Sequence, residues 1–356
     1  MNVAFFPISA RTIDQARALS QCNSNLIAKM VYLSYPGSQL IGRDASFAKN
    51  EEFLNMPVLP FSEETVNDCD TLVLLDDDKM VDFFDLEQVV LWASCSNVRI
   101  LNACQHWGPD NLVRKKIESC CDVDLSNFDF ESSFNDYERN EVINNRTKIH
   151  TVPVIAVGGT VEEADTFAVF IKLVLSLRRH GVRVSAMGKA PICDFIGMHN
   201  IPESFLSGNL SEEDKIGIMN QYIDIIIKRE FPKIFIIQMP GSIIRLNRIM
   251  PNGYGILAYM LSQSTLLSGL VCCMPNGFLN DGSKRELDLI SRRHFGCRII
   301  GFHSSNFSLN YQSINGSRTF GGYYSKNQFV QQDNLLLDKN MENLTEIIYN
   351  KLACNS

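Results

Sequence analysis

The sequence predicts an α/β protein of two three-layer domains. Each is built on a mainly parallel sheet, and the second is P-loop-like with a degenerate phosphate loop. Three observations predict this. The chain has 356 residues, more than one compact core usually holds. Short apolar runs alternate with segments of helical period, the pattern of strands buried on both faces and the helices that cover them. Residues 151–189, TVPVIAVGGTVEEADTFAVFIKLVLSLRRHGVRVSAMGK, spell strand, glycine turn, helix, glycine stop and strand in one unbroken unit.

The elements follow in order. Val3-Ala4-Phe5-Phe6 before Pro7 reads as a short buried strand, and Ala10 to Leu19 has helical spacing. Ala28–Leu33 is a second strand, closed by the turn Tyr35-Pro36-Gly37. Asp70–Leu75 is a strong strand ending in Asp76-Asp77-Asp78; Phe84–Cys95 is an amphipathic helix and Val98–Asn102 a further strand. Lys115–Cys120 closes the region. Composition then turns polar and acidic, and a boundary is expected there. The expected division is a Rossmann-like α/β domain over 1–121, a linker over 122–150 and a P-loop-like domain over 151–356.

The second region repeats the alternation. Val152–Val157 is its first strand. Thr166–Arg179 is a helix, with Phe167, Phe170, Ile171, Val174 and Leu177 on one stripe. Val182–Met187 is the next strand. Ser211–Glu230 is a long helix that Ser211 caps, with Asp214 three residues on. Strands follow at Lys233–Met239, Gly269–Met274 and Cys297–Phe302, and helices at Gly255–Ser262, Glu286–Phe295 and Met341–Leu352.

Composition excludes several classes. Apolar residues at 45% and charged residues at 21% are ordinary for a globular chain. The net charge of −7 disfavours a nucleic-acid or anionic-membrane surface. Basic residues do cluster locally, at Arg178, Arg179, His180 and Arg183 and at Arg292-Arg293. MNVAFFPISARTIDQ has neither a basic n-region nor a cleavage site, and no apolar run reaches the ~20 residues that span a bilayer. The expected location is the cytoplasm. The 11 cysteines form no C-x-x-C, and most stand in apolar runs, so they read as reduced core residues and no metal site is expected. The oligomeric state stays open and is compatible with a homodimer.

The turn at Gly158 carries the most chemistry. A P-loop reads G-x-x-x-x-G-K-[ST], with amides around the phosphates and a lysine on the terminal ones. Here Gly159-Thr160 and Thr166 fit, but Ala164 replaces the second glycine and Asp165 the lysine. Glu162, Glu163 and Asp165 are placed in the first turn of the following helix, where the macrodipole favours carboxylates without any ligand. Three readings stand: a strand-to-helix turn capped by acids, a relic phosphate loop for another ligand, or an NTPase that borrows Lys189 or Lys172. If P-loop geometry survives, Asp165→Lys should create phosphate binding. No cofactor is identified by the residues themselves.

In parallel sheets ligands gather at the carboxyl ends of strands. The other ends expected to meet Gly158 are Met187-Gly188-Lys189, Met274-Pro275-Asn276-Gly277 and Gln238-Met239-Pro240-Gly241. The last holds Gln238 where a metal-binding carboxylate would stand in a Walker-B segment. The candidate ligand-binding set is Gly158, Gly159, Thr160, Asp165, Thr166, Lys189, Gln238 and Gly241. Cys104, His106 and Trp107 share one loop after a strand of the first region, a weaker nucleophile candidate.

VGGTVEEADTFAVFIKLVLSLRRHGVRVSAMGK, Gly197-Met198-His199, KREFPKIFIIQMPGSIIRLN and NGYGILAYMLSQS together resemble a clostridial family of peptide maturation system proteins. That family is encoded beside Cys-rich bacteriocin-type precursors and their radical SAM maturases. The resemblance spans most of Val152–Phe302. It implies a pathway rather than a reaction: an accessory protein that binds a precursor peptide, a carrier or the radical SAM maturase. A weaker resemblance is to a two-domain family, Rossmann-like in front and P-loop-like behind, some of whose members acetylate an amino-acid amine. There the rear domain carries G-T-x-x-x-x-G-K; Gly159-Thr160 match, Asp165 departs, and Gln238…Gly241 is a rough echo of a later E-G-Q-G. It implies the alternative, a nucleotide- or CoA-dependent ligase or acyltransferase.

Overall fold

Strands β1 (Asn2–Phe6), β2 (Lys29–Ser34), β3 (Val58–Pro60), β4 (Thr71–Leu75) and β5 (Arg99–Ala103) make the first sheet. In the computed structural model they lie in the order β3-β2-β1-β4-β5, with every pairing parallel. The structure describes residues 2–22, 27–75, 77, 89, 92–93, 96, 98–103, 149–162, 164–206, 210–245, 252–309, 322–324 and 333–354. The order reverses direction between β1 and β4, a topological switch point. Helix α1 (Ile13–Cys22) follows β1. Ala4, Phe6, Leu33, Leu72, Leu74 and Ile100 form a core on one face of the sheet. The central strands β1 and β4 read as near-continuous apolar runs because both their faces are covered, with Val3, Phe5, Val73 and Leu75 buried as well.

The chain forms two compact units: Met1–Asp129 with Ala190–Gly197, and Phe130–Lys189 with Met198–Ser356. The one-turn helix Ile192–Phe195 belongs with the first unit. Of the sequence expectations, residues 84–88, the run Lys115–Cys120, the linker up to residue 148 and the Cys104-His106-Trp107 loop lie outside the described residues.

The second sheet holds β6 (Val154–Gly159), β7 (Val184–Gly188), β8 (His199–Asn200), β9 (Ile234–Ser242), β10 (Leu267–Met274) and β11 (Ile299–Ser304). Its order is β11-β10-β6-β9-β7-β8, again all parallel. The helices are α2 (Thr166–Arg179), α3 (Glu212–Glu230), α4 (Ile256–Ser264), α5 (Asp281–His294) and α6 (Asp338–Cys354). Val154 and Ala156, Phe235, Ile237 and Met239, and Leu270 and Cys272 turn to one face, where Tyr222 and Ile223 of α3 and Ala258 and Leu261 of α4 meet them. Their alternating neighbours Ile155, Val157, Ile236 and Val271 are also buried. Helix α2 packs on β6, β7 and β9, and α6 packs on α2. Strands β12 (Phe307–Leu309) and β13 (Gly322–Tyr324) form a small antiparallel pair.

Helix α2 has the predicted bounds, and Ser211 caps α3 as expected, accepting from the Asp214 amide at 3.2 Å. Strand β6 begins two residues later than read, after Pro153, which has no N–H for the ladder. The strands that pattern reading missed, β3, β8, β12 and β13, are two or three residues long, too short to show a period.

Candidate functional site

Strand β6 lies between β9 and β10, so its carboxyl end is flanked by the turns after both. Gly158 and Gly159 are required there by close packing. A Cβ on Gly158 would lie 2.5 Å from Ile243 Cγ2, and one on Gly159 would lie 2.3 Å from the Val161 carbonyl oxygen. The Gly159 carbonyl accepts from the Ile243 amide at 2.9 Å, which folds the end of β9 back over β6. Gly241 takes the left-handed φ of +68° needed for that path.

The loop amides are engaged within the protein. The Thr160 amide donates to the Cys273 carbonyl at 2.9 Å, and the Ala164 amide to Val161 at 3.3 Å. Two of the amides that a phosphate loop would aim at its ligand therefore serve the fold. The placement of acids is also corrected: α2 starts at Thr166 and has no acidic residue in its first turn. Glu162 precedes the helix, and Asp165 takes the cap position with a left-handed φ of +58° but makes no side-chain capping bond. Glu163 lies outside the described residues.

The Asp165 side chain instead turns inward. Its Oδ2 accepts from Ser305 Oγ at 2.5 Å and, over a longer 3.4 Å, from His303 Nε2. His303 Nδ1 accepts the Leu335 amide at 3.1 Å, which fixes the ring proton on Nε2, toward Asp165. Ser305 Oγ in turn accepts from the Phe307 amide. All three side chains are buried. The residue in the lysine position of a P-loop is thus an internal tie to the end of β11. His303 and Ser305 were not picked out in the sequence; the signal available was a polar His-Ser-Ser run closing an apolar strand.

Thr166, Gln238 and Lys189 do come together. Gln238 is buried; its Oε1 accepts the Lys189 amide at 3.0 Å, and its Nε2 lies 3.5 Å from Thr166 Oγ1. A glutamine suits this place because it can accept and donate at once. The Lys189 ammonium pairs with Glu162 at the loop mouth, and Lys172 pairs with Asp338 at 2.7 Å and donates to the Leu336 carbonyl. Both lysines that could replace the missing one are therefore engaged with acids. Lys172 holds the Asp338 carboxyl below its ordinary range.

Cys272 and Cys273 stand opposite Gly158 and Gly159 on β10. Burial pushes the Cys272 thiol up to about 12; burial, Cys272 and Asp165 push Cys273 well above its ordinary value. Burial therefore disfavours the thiolate form of both. Among the described residues no His, Cys, Asp or Glu cluster is arranged to hold a metal ion, and no helix is long and apolar enough to cross a membrane.

In the first unit the β1–α1 turn occupies the switch point. Thr12 Oγ1 accepts the Ser9 amide at 2.9 Å and donates to the Pro7 carbonyl at 2.6 Å, and Ser9 Oγ accepts the Arg11 amide. This turn lacks the glycines of a dinucleotide loop and is closed by its own hydroxyls and by Ile8, whose amide donates to the Leu33 carbonyl at 2.7 Å and whose carbonyl accepts from Ser34 Oγ at 3.1 Å.

Fold and site define a protein of two parallel α/β units whose phosphate-loop position is filled from within. No protein-family model matches the sequence, and no curated protein matches it. Among solved structures, the chain is similar to a DUF1611 family protein from Anabaena variabilis, with a TM-score of 0.57 and 11% identity over 85% of this chain and 87% of that one. At that identity the likeness shows the fold alone. An alignment with an α-glucosyltransferase in complex with UDP-glucose and DNA containing an abasic site has 10% identity over 98% of this chain and 93% of that one, and reaches a TM-score of only 0.27.

Proposed function

We propose that this chain is an accessory protein of ribosomal peptide maturation, working by binding a precursor peptide, a carrier or a radical SAM maturase rather than by turning over a nucleotide. The observation that carries the reading is the inward Asp165. A loop whose lysine position is a buried carboxyl tied to Ser305 and His303, and whose two candidate lysines face Glu162 and Asp338, is poorly suited to a terminal phosphate. The link to peptide maturation rests on the family resemblance of residues 152–302. The test is a thermal-shift screen with ATP, GTP and acetyl-CoA, beside co-purification with a Cys-rich precursor and its maturase. A ligand at 100 times its dissociation constant adds about 2.7 kcal/mol, an easily read shift. Flat melting curves with retention of peptide or maturase are expected. A clear shift with a nucleotide or CoA, and no retention, would replace this reading with a ligase or acyltransferase.

A further inference from the structure

We propose that two copies of this chain meet through the outward face of α4, around a twofold axis close to Tyr259. The face belongs to the second unit alone and is independent of the Gly158 loop. Its first mark is in the sequence. From Ile249 to Asn280 the chain carries no Asp, Glu, Lys, Arg or His, although charged residues make up 21% of the whole. Burial accounts for the later part of that stretch, because β10 is an inner strand of its sheet. It does not account for α4. Ala258, Met260, Leu261, Ser262 and Ser264 are the buried side of that helix. Ile256, Tyr259 and Gln263 are exposed and share one stripe, at i, i+3 and i+7. Tyr254 just before the helix and Leu266 just after it are exposed too, at 56% and 73%. A surface helix ordinarily turns charge to water. Helix α5 does so, with Asp281, Arg285, Glu286, Arg292 and Arg293 exposed. Two helices of one unit thus present opposite kinds of face.

Charge decides what covers the α4 face. In a twofold contact a residue at the axis meets its own copy, so a charge there is set against itself. Tyrosine and isoleucine carry no such repulsion, and interface centres are rich in tyrosine and poor in charge. The chain as a whole carries a net −7. Two copies therefore repel at long range, and they lose least where neither presents a charge. A partner selected by opposite charge would need a charged face and finds none on α4. Tyr259 is the middle of the stripe, which places the axis beside it. The stripe is short, so the interface falls at the small end, below about 1,200 Å² in total, and the dimer exchanges with monomer at a dissociation constant on the order of 10 µM.

The experiment is sedimentation velocity of the full chain from about 1 to about 100 µM, a range that brackets that constant. A concentration-dependent dimer is expected. Added salt should tighten it, because screening removes the repulsion between like-charged copies. Tyr259→Glu, with folding checked by circular dichroism, should weaken it about tenfold or more, since two carboxylates then face each other across the axis. Tyr259→Lys should do the same. An equimolar mixture of the two variants should dimerise again, because each pair now joins unlike charges; misfolded variants would not be rescued in this way. Ile256→Glu should also weaken the dimer and stands in if a Tyr259 variant does not fold. The proposal is overturned if the wild-type chain stays monomeric across the range, if salt dissociates the dimer, if the folded glutamate variants leave it intact, or if mixing the folded Tyr259 variants restores nothing. Flotation of the wild-type chain, but not of Tyr259→Glu, with phosphatidylcholine vesicles would give the face to a bilayer, and this too overturns it.

Discussion

Two strand-to-helix junctions, one in each unit, hold the same place in a parallel sheet and are closed by different means. At β1–α1 the side chains of the turn bond their neighbours, Thr12 reaching Ser9 and Pro7 within five residues, and the longer ties run only from Ile8 to Leu33 and Ser34 of the adjacent β2. At β6–α2 the partners come from across the fold. Asp165 reaches Ser305 and His303, 140 and 138 residues away, and Gln238 reaches Thr166 and Lys189, 72 and 49 away. A turn closed by its neighbours is set by a few adjacent residues. A turn closed at long range depends on the whole sheet, and its residues cannot be exchanged one at a time.

The strongest way to break that comparison is Asp165→Lys. On motif logic alone, the change restores a phosphate-loop lysine. The structure predicts the opposite outcome. A cation would be buried against the Ser305 and His303 donors, in a left-handed conformation that lysine tolerates poorly, at a cost of about 3–5 kcal/mol. Urea denaturation should show the loss, and thermal shift should show no gained response to ATP. Asp165→Asn keeps an acceptor and the left-handed preference, so it should lose much less. A stable, phosphate-binding Asp165→Lys protein would mean the loop relaxes outward, and the internal tie would not be what holds it.

Gln238→Ala comes next. It removes the buried acceptor of the Lys189 amide, while the Thr166 hydroxyl keeps its bond to the Glu162 carbonyl, and should cost about 1–3 kcal/mol. Thr12→Ala in the first unit removes the acceptor of the Ser9 amide and the donor to the Pro7 carbonyl, and should cost about 1 kcal/mol, the ordinary net worth of a hydrogen bond. The two measured together sharpen the contrast. If the junctions differ as described, the Gln238 variant should also speed hydrogen exchange in residues 160–166, while the Thr12 variant affects only the start of α1.

That contrast also explains what was legible in the sequence. The class of fold was visible because β6, β9 and β10 hold the apolar runs VIAV, IFII and LVCCM and α2 carries a clean helical stripe. Glycine at 158 and 159 was visible too, but its reason was not. A phosphate would require glycines there, and so does an Ile243 methyl or a Val161 carbonyl. Asp165 looked like an acid at a helix start because one-dimensional spacing places it there. Its true partners stand at the end of a strand more than a hundred residues later, and nothing local marks the pairing. The meeting of Thr166, Lys189 and Gln238 was foreseeable, since parallel strands bring their carboxyl ends together.

The smallest expected effect separates main chain from side chain at one residue. Lys189 contributes its amide to Gln238 and its ammonium to Glu162. The ammonium pair is partly open to solvent, with side-chain exposures of 31% and 45%. Screening therefore limits it to under about 1 kcal/mol. Lys189→Ala keeps the amide and removes only the pair, so its urea midpoint should move little, and less still at 1 M salt, where the Debye length falls to about 3 Å. A loss as large as that of Gln238→Ala, and one that salt erases, would place the closure of the loop in surface charge. The β6–α2 junction would then be held by its mouth, and its difference from the β1–α1 turn would be one of electrostatics rather than of long-range packing.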